Sequence, residues 1–260
     1  MNYKKWIAMG LALAVSGLVQ AQAFDSGSDG SFGAIELTYP EDCPDSPHEV
    51  WIDLPPDGVI HATTVTVESC VLRFRNNARN TPVYLLAQGD VVVKGGGLYG
   101  PPYGKIDVSG FTGTSLQGGL PGPGGFPGGR PYVVGEEPGP GAGPGGGGGG
   151  DRTYRSDSNG NQDYSEWPGR GVYSTAPLNS PLDLPNDGQP YGSQLLMPLM
   201  GGSGGGGSKH FSSGPYPPLH GGGSGGGGAI LIASNTQILL GGVATWGEYG
   251  NYIPVILGKV

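Results

Sequence analysis

The sequence predicts an all-β fold: a short right-handed parallel β-helix, or β-solenoid, carrying a long glycine-rich insertion. Three observations lead there. Residues 59–108 hold short runs of alternating apolar residues and no helical periodicity. A unit of that region returns late in the chain, where Val83-Tyr-Leu-Leu-Ala-Gln-Gly-Asp-Val-Val-Val-Lys-Gly-Gly aligns with Ala229-Ile-Leu-Ile-Ala-Ser-Asn-Thr-Gln-Ile-Leu-Leu-Gly-Gly. Between the two copies, residues 111–228 hold most of the 55 glycines. Each copy reads as strand, small corner, strand and glycine turn, which is what one coil of a solenoid needs. Antiparallel hairpins would bring two-residue Asn-Gly or Asp-Gly turns between matched strands. A small antiparallel sandwich also fits the runs, because periodicity does not fix strand direction.

Along the chain, residues 1–23 read as a secretory signal peptide. Lys4 and Lys5 supply the basic start, residues 6–19 the apolar stretch, and Ala21-Gln-Ala the small-x-small cleavage pattern. Residues 24–58 read as an acidic Ser/Gly/Pro leader. Residues 59–110 form the β-solenoid coils, with strand patterns at Thr64-Val-Thr-Val, Val71-Leu-Arg-Phe, Val83-Tyr-Leu-Leu-Ala, Val91-Val-Val and Lys105-Ile-Asp-Val. Turn-forming stretches at residues 75–82, 88–90 and 95–97 separate them. Residues 111–228 are the glycine/proline-rich insertion, expected either to stay mobile or to pack as extended polyglycine/polyproline-like helices. Residues 229–260 form a C-terminal solenoid coil and an end strand.

Removing Lys4 and Lys5 from 13 basic residues leaves 11 against 21 acidic ones, a net charge of −10. That argues against a nucleic-acid partner, since binding phosphates needs a clustered basic surface. No second apolar stretch is long enough to span a membrane after the signal peptide. Cys43 and Cys70, both in an exported chain, are expected to form a disulfide. The expected location is therefore periplasmic, extracellular or at the cell surface.

The chain resembles a group of exported, glycine-rich bacterial proteins predicted to form parallel β-helices. The resemblance rests on Phe24-Asp-Ser-Gly-Ser-Asp-Gly-Ser, Asp53-Leu-Pro-Pro-Asp-Gly-Val-Ile, Asn80-Thr-Pro-Val-Tyr-Leu-Leu-Ala-Gln-Gly-Asp-Val, Ile106-Asp-Val-Ser-Gly, Pro121-Gly-Pro-Gly-Gly-Phe and Gly228-Ala-Ile-Leu-Ile-Ala-Ser-Asn. It implies a fold and an export route, and no activity.

Candidates for chemistry are few. Glycosidic cleavage needs two carboxylates across a cleft; Asp90 and Asp107 stand nearest the expected strands, with Lys94, Lys105, Arg73 and Arg75 as the neighbouring cations. His48, His61, His210 and His220 show no metal-ligand spacing beyond the last two, which frame a proline-rich loop. No nucleophile elbow or phosphate loop is present. Asp157, Asn159, Asn161 and Asp163 place oxygens at alternate positions, as calcium loops do, although Gln162 stands where such loops have glycine. A solvated Asx-rich turn fits the same segment, so no cofactor is expected, with calcium as the alternative. Tyr164, Trp167 and Trp246 are candidate contacts to a glycan or a surface, since aromatic rings give large rigid area with a polar edge; pinning loops to the body would use them equally well.

The expectation is thus a secreted or cell-surface structural or adhesive protein without enzymatic activity, whose exposed strand edges allow head-to-tail addition through residues 251–257 into open fibres. A carbohydrate-binding module is the alternative, and a polysaccharide lyase or hydrolase the third.

Overall fold

The computed structural model describes residues 24–39, 41–45, 47–94, 104–151, 155–156, 162–163, 168–169, 187–193, 195–209, 220–241 and 256–257. Among these there is no helix. The strands are β1 (Gly33–Thr38), β2 (Glu49–Asp53), β3 (Val59–Glu68), β4 (Val71–Arg75), β5 (Val83–Ala87), β6 (Val91–Lys94), β7 (Lys105–Asp107), β8 (Gly150–Asp151), β9 (Arg155–Ser156), β10 (Gln162–Asp163), β11 (Ser208–Lys209), β12 (Ile230–Ser234), β13 (Ile238–Gly241) and β14 (Ile256–Leu257). The protein is all-β, and its two main sheets are parallel throughout. Residues 1–23, read from the sequence as a signal peptide, lie outside the described residues.

The chain passes back and forth between those sheets. In the larger one, β3 pairs with β1 on one edge and with both β5 and β6 on the other; β12 and β13 pair with β5 and β6, and β14 with β12. The smaller sheet runs β2-β4-β7. Register stacks like on like: Ile35, Val65, Val91 and Ile238 form one column, Leu37, Val67, Val93 and Leu240 a second, and Ile60, Leu85 and Ile232 a third. These columns face Leu72 and Phe74 of the smaller sheet, so the core fills the space between sheets. Ser69, with φ of 64°, turns the chain from β3 into β4 through the left-handed region. Next to it, Cys70 bonds Cys43, with Cα atoms 6.0 Å apart, as the sequence led us to expect.

Two expectations change. Residues 24–58, read as a leader, contribute β1 and β2, the first strand of each sheet. The repeat aligned from the sequence does form equivalent, paired strands, but one residue out of step: Ile230, not Ala229, stands opposite Val83. A slip of one residue would turn the opposite set of side chains to the core. The structural register buries Ile230 and Ile232, whereas Leu231 is half-buried.

The described residues of the glycine-rich region build a layered bundle of extended segments, with almost no strand pairing among them. Residues 221–229 show the rule. The N–H groups of Gly222, Gly225 and Gly228 donate to the carbonyls of Thr114, Phe111 and Val108, while those of Gly223, Gly226 and Ala229 donate to Gly129, Phe126 and Pro123. The carbonyls of Gly223 and Gly226 accept from Gly119 and Gly122, and those of Ser224 and Gly227 from Gly205 and Gly202. Every third residue meets the same neighbour, the repeat of a polyproline II helix with three residues per turn. The segments run both parallel and antiparallel to one another.

Such packing leaves no room for a β-carbon. One added at Gly226 would lie 1.8 Å from the Gly202 carbonyl oxygen, and one at Gly223 1.9 Å from that of Gly205. The serines that interrupt the glycine runs sit where a side chain fits. Ser224 is exposed, and buried Ser203 accepts a hydrogen bond from Gly145 N through its hydroxyl. Asparagines tie the bundle to the sheets: Asn80 Nδ2 donates to Gly125 O (2.6 Å), Asn76 Nδ2 to Pro121 O (3.0 Å) and Asn77 Nδ2 back to Pro55 O (2.5 Å).

A polar strap of residues 25–32 climbs the corners of the larger sheet. Ser26 N donates to Asn235 Oδ1 and its hydroxyl to Ala87 O, the Ser28 hydroxyl donates to Ala62 O, and Phe32 N donates to His61 O.

Replacing Gly226 with alanine is expected to destabilise the protein by about 2–3 kcal/mol, as overpacking does, while Ser224→Ala stays within about 0.5 kcal/mol of the wild type. Urea denaturation of both variants checks this; equal midpoints for the two would refute the close-packed bundle.

Candidate functional site

The densest group of charged and aromatic side chains lies on the outer face of the smaller sheet. Strand alternation turns Val50, Ile52, Leu72, Phe74 and Ile106 toward the core. It turns Glu49, Trp51, Asp53, Arg73, Arg75, Lys105 and Asp107 the other way. Parallel register then aligns Trp51, Arg73 and Asp107 in one row, and Asp53 with Arg75 in the next.

Arg73 is the centre of the group. Its guanidinium divides between two carboxylates, with Nε 2.7 Å from Glu49 Oε1 and Nη2 2.9 Å from Asp107 Oδ2. It also lies 5.5 Å from the Trp51 ring centroid and 5.8 Å from that of Phe111, within reach of a cation–π attraction. The two rings are nearly parallel, at 14°, with centroids 6.2 Å apart. Trp51 Nε1 donates to Glu49 Oε2, fixing the indole. Phe111 comes from the first residues of the glycine-rich region, so this face sits where bundle and sheet meet.

Asp107 is nearly fully covered, its side chain 3% exposed. Burial pushes its carboxyl up, but hydrogen bonds from Lys105 Nζ (2.8 Å) and Ser109 N (2.8 Å) outweigh that and hold it below its ordinary value. It is therefore an ionised acceptor at neutral pH. A glycosidic general acid needs the opposite, a carboxyl raised toward neutrality.

Asp90 stands elsewhere, at the corner leading into β6. The Thr236 hydroxyl (2.5 Å) and Gln237 Nε2 (2.7 Å) donate to it and lower its pKa. The carboxylates weighed from the sequence as a catalytic pair thus belong to different sheets and hold different partners. Lys94 pairs with Glu68. The histidines are dispersed: His61 lies 3.7 Å from Asp29, His48 Nδ1 lies 2.9 Å from Cys43 O, and His220 packs on Tyr132, while His210 falls outside the described residues.

Of the calcium-like segment, Asp157, Asn159 and Asn161 fall outside the described residues. The backbone of Asp163 lies in β10, which pairs antiparallel with β9. Among the described residues no group of three His, Cys, Asp or Glu side chains could hold a metal. Tyr164, Trp167 and Trp246 also fall outside them. Glu49 and Trp51 went unnoticed in the sequence because they join the site through parallel pairing with β4, and only the alternation within β2 hinted at their common face. No helix of the described residues is long and apolar enough to cross a membrane. No family model matches the chain, and neither a curated protein nor a solved structure matches it.

Because the folded pKa of Asp107 lies below its unfolded value, its pairing stabilises the protein fully above about pH 5, and that contribution is lost as pH falls through the lowered value. Asp107→Asn should be less stable at pH 7, by about 3 kcal/mol, since Arg73 and Lys105 lose a buried partner. The gap between wild type and variant should narrow on acidification toward pH 2. Thermal unfolding across that range tests it; a constant gap would remove Asp107 from the acid response.

Proposed function

We propose that the protein is an exported structural or adhesive protein of the cell surface, without enzymatic activity, built as a short right-handed parallel β-helix that holds a rigid polyglycine-type bundle. The alternation of β1 to β5 between two in-register parallel sheets supports the β-helix, and the disulfide supports export, since such bonds persist in oxidising compartments. The resemblance to exported glycine-rich β-helix proteins points the same way. The lowered carboxyl pKa values at Asp107 and Asp90 suit neither group to act as a glycosidic general acid.

One observation carries the adhesive reading. Two tight turns of the bundle, closed by Thr114 N to Gln117 O and Glu136 N to Val133 O, expose apolar tips: Leu116 is 88% exposed and Val134 91%. Turn tips are ordinarily polar. Large apolar side chains presented by a hydrogen-bonded scaffold make a contact surface. Adsorption of the mature chain, residues 24–260, to methyl-terminated monolayers should exceed that to hydroxyl-terminated ones. Replacing both Leu116 and Val134 with serine should abolish the difference without shifting thermal stability. An unchanged preference in the double variant would defeat this reading.

Self-association has a separate support. At β1 the inward columns end buried, with Ile35 and Leu37 at 4% and 8% exposure, whereas at β13 the column end Leu240 is 46% exposed, on a strand whose one partner among the described residues is β6. One closed and one open end favour pairing of two copies over the open fibres expected from the sequence. Ile256 and Leu257, expected to recruit a neighbour, pair with β12 of their own chain as β14. Light scattering should give a dimer for the wild type and a monomer for Leu240→Lys. Fibres would refute the closed pair.

A further inference from the structure

We propose that the outer face of the smaller sheet binds a neutral polysaccharide, with the exposed Phe111 ring, backed by Trp51, as the stacking platform and the surrounding ion pairs as hydroxyl partners. This rests on the adhesive reading in that it names what such a surface protein would hold.

The platform is set before any ligand arrives. The two rings stack on each other, the indole N–H is tied to Glu49, Arg73 braces both rings while itself held by two carboxylates, and Arg75 lies 5.6 Å from the Trp51 centroid, so the ring left open is that of Phe111. A site fixed in this way loses little entropy on binding. Phe111 is 43% exposed, so its ring remains open to contact. The apolar face of a pyranose ring suits such rigid aromatic area.

The polar surroundings narrow the ligand further. Three carboxylates, Glu49, Asp53 and Asp107, are matched by three cations, Arg73, Arg75 and Lys105, each engaged in an ion pair. The face is therefore a charge-balanced mosaic of donors and acceptors. A hydroxyl, which both donates and accepts, can bond to either kind of group. A polyanion finds no net positive charge here and is opposed by the acidic balance of the whole chain, 21 acidic residues against 13 basic. Arg75 and Lys105 are 58% and 55% exposed and Asp53 80%, so groups of both signs remain within reach of solvent. The five residues of β2 extend about 16 Å along the sheet, longer than a single sugar ring. An extended chain lying along the strands fits that shape.

Affinity electrophoresis of residues 24–260 through gels containing hydroxyethyl-cellulose, xylan or polygalacturonate tests the assignment. Retardation by hydroxyethyl-cellulose or xylan is expected, with none by polygalacturonate. Phe111→Ala should weaken binding by roughly five- to tenfold, and Phe111→Tyr, which keeps the ring, should bind as the wild type does. Passage through both neutral gels without retardation, retardation by polygalacturonate alone, full binding by Phe111→Ala, or loss of binding by Phe111→Tyr would each overturn it. Leu116 and Val134 are not part of this face, so their serine variant should retain binding to the neutral gels. Failure of the adhesion experiment and failure of this one are thus separable.

Discussion

The parallel register of β3 is the constraint from which the rest of the molecule follows. Its ten residues bond β1 on one side and both β5 and β6 on the other. The in-and-out alternation of this one strand is therefore imposed on all its neighbours, and through β5 and β6 on β12 and β13. A single slipped residue would present Thr64 and Thr66 to the core in place of Val65 and Val67, and every column above would break with it. The neighbouring β4 adds the second wall, so that Leu72 and Phe74 close the space that β3 opens.

The glycine bundle stands on the same foundation but is stabilised differently. It has little apolar side-chain area to bury, and ordering glycine carries the largest entropic cost of any residue. What offsets that cost is the density of its backbone hydrogen bonds and the close approach of bare chains, which a β-carbon would forbid. The junction is equally economical. Ala229 donates to Pro123 O in the bundle while its carbonyl accepts from Val83 N in the sheet. The bundle's last residue is thus also the entry to β12, and its geometry is fixed by the strand it leads into.

Much of this was legible beforehand, and what was not has identifiable causes. The runs from Val59 to Asp107 announce their strands because valine, leucine and isoleucine alternate with polar residues. The pairing of Cys43 with Cys70 followed from compartment chemistry. The register of the second repeat failed because Ala229-Ile-Leu-Ile-Ala is apolar at every position, so period two cannot say which residues face inward; the matching glycine pairs then drew the alignment one step astray. β1 was hidden because Gly33-Ala-Ile-Glu-Leu-Thr offers only Ile35 and Leu37 as an inward pair, among acidic and turn-forming neighbours. Extended packing of the glycine tract could be anticipated as one of two outcomes, but its path could not, since glycines carry no pattern that distinguishes one neighbour from another. The face around Arg73 required strand direction. Glu49, Arg73 and Asp107 lie far apart in sequence and meet only once β2, β4 and β7 are known to run parallel.

The strap at residues 25–32 ties the beginning of the folded chain to a residue made long after it. Ser26 is bonded to Asn235, 209 positions later. A polypeptide delivered amino-terminus first therefore cannot seat this strap while it is still emerging, and contacts so distant in sequence slow the search for the native state. The strap is thus among the last contacts of the larger sheet to form, seated only after nearly all of the chain has been made.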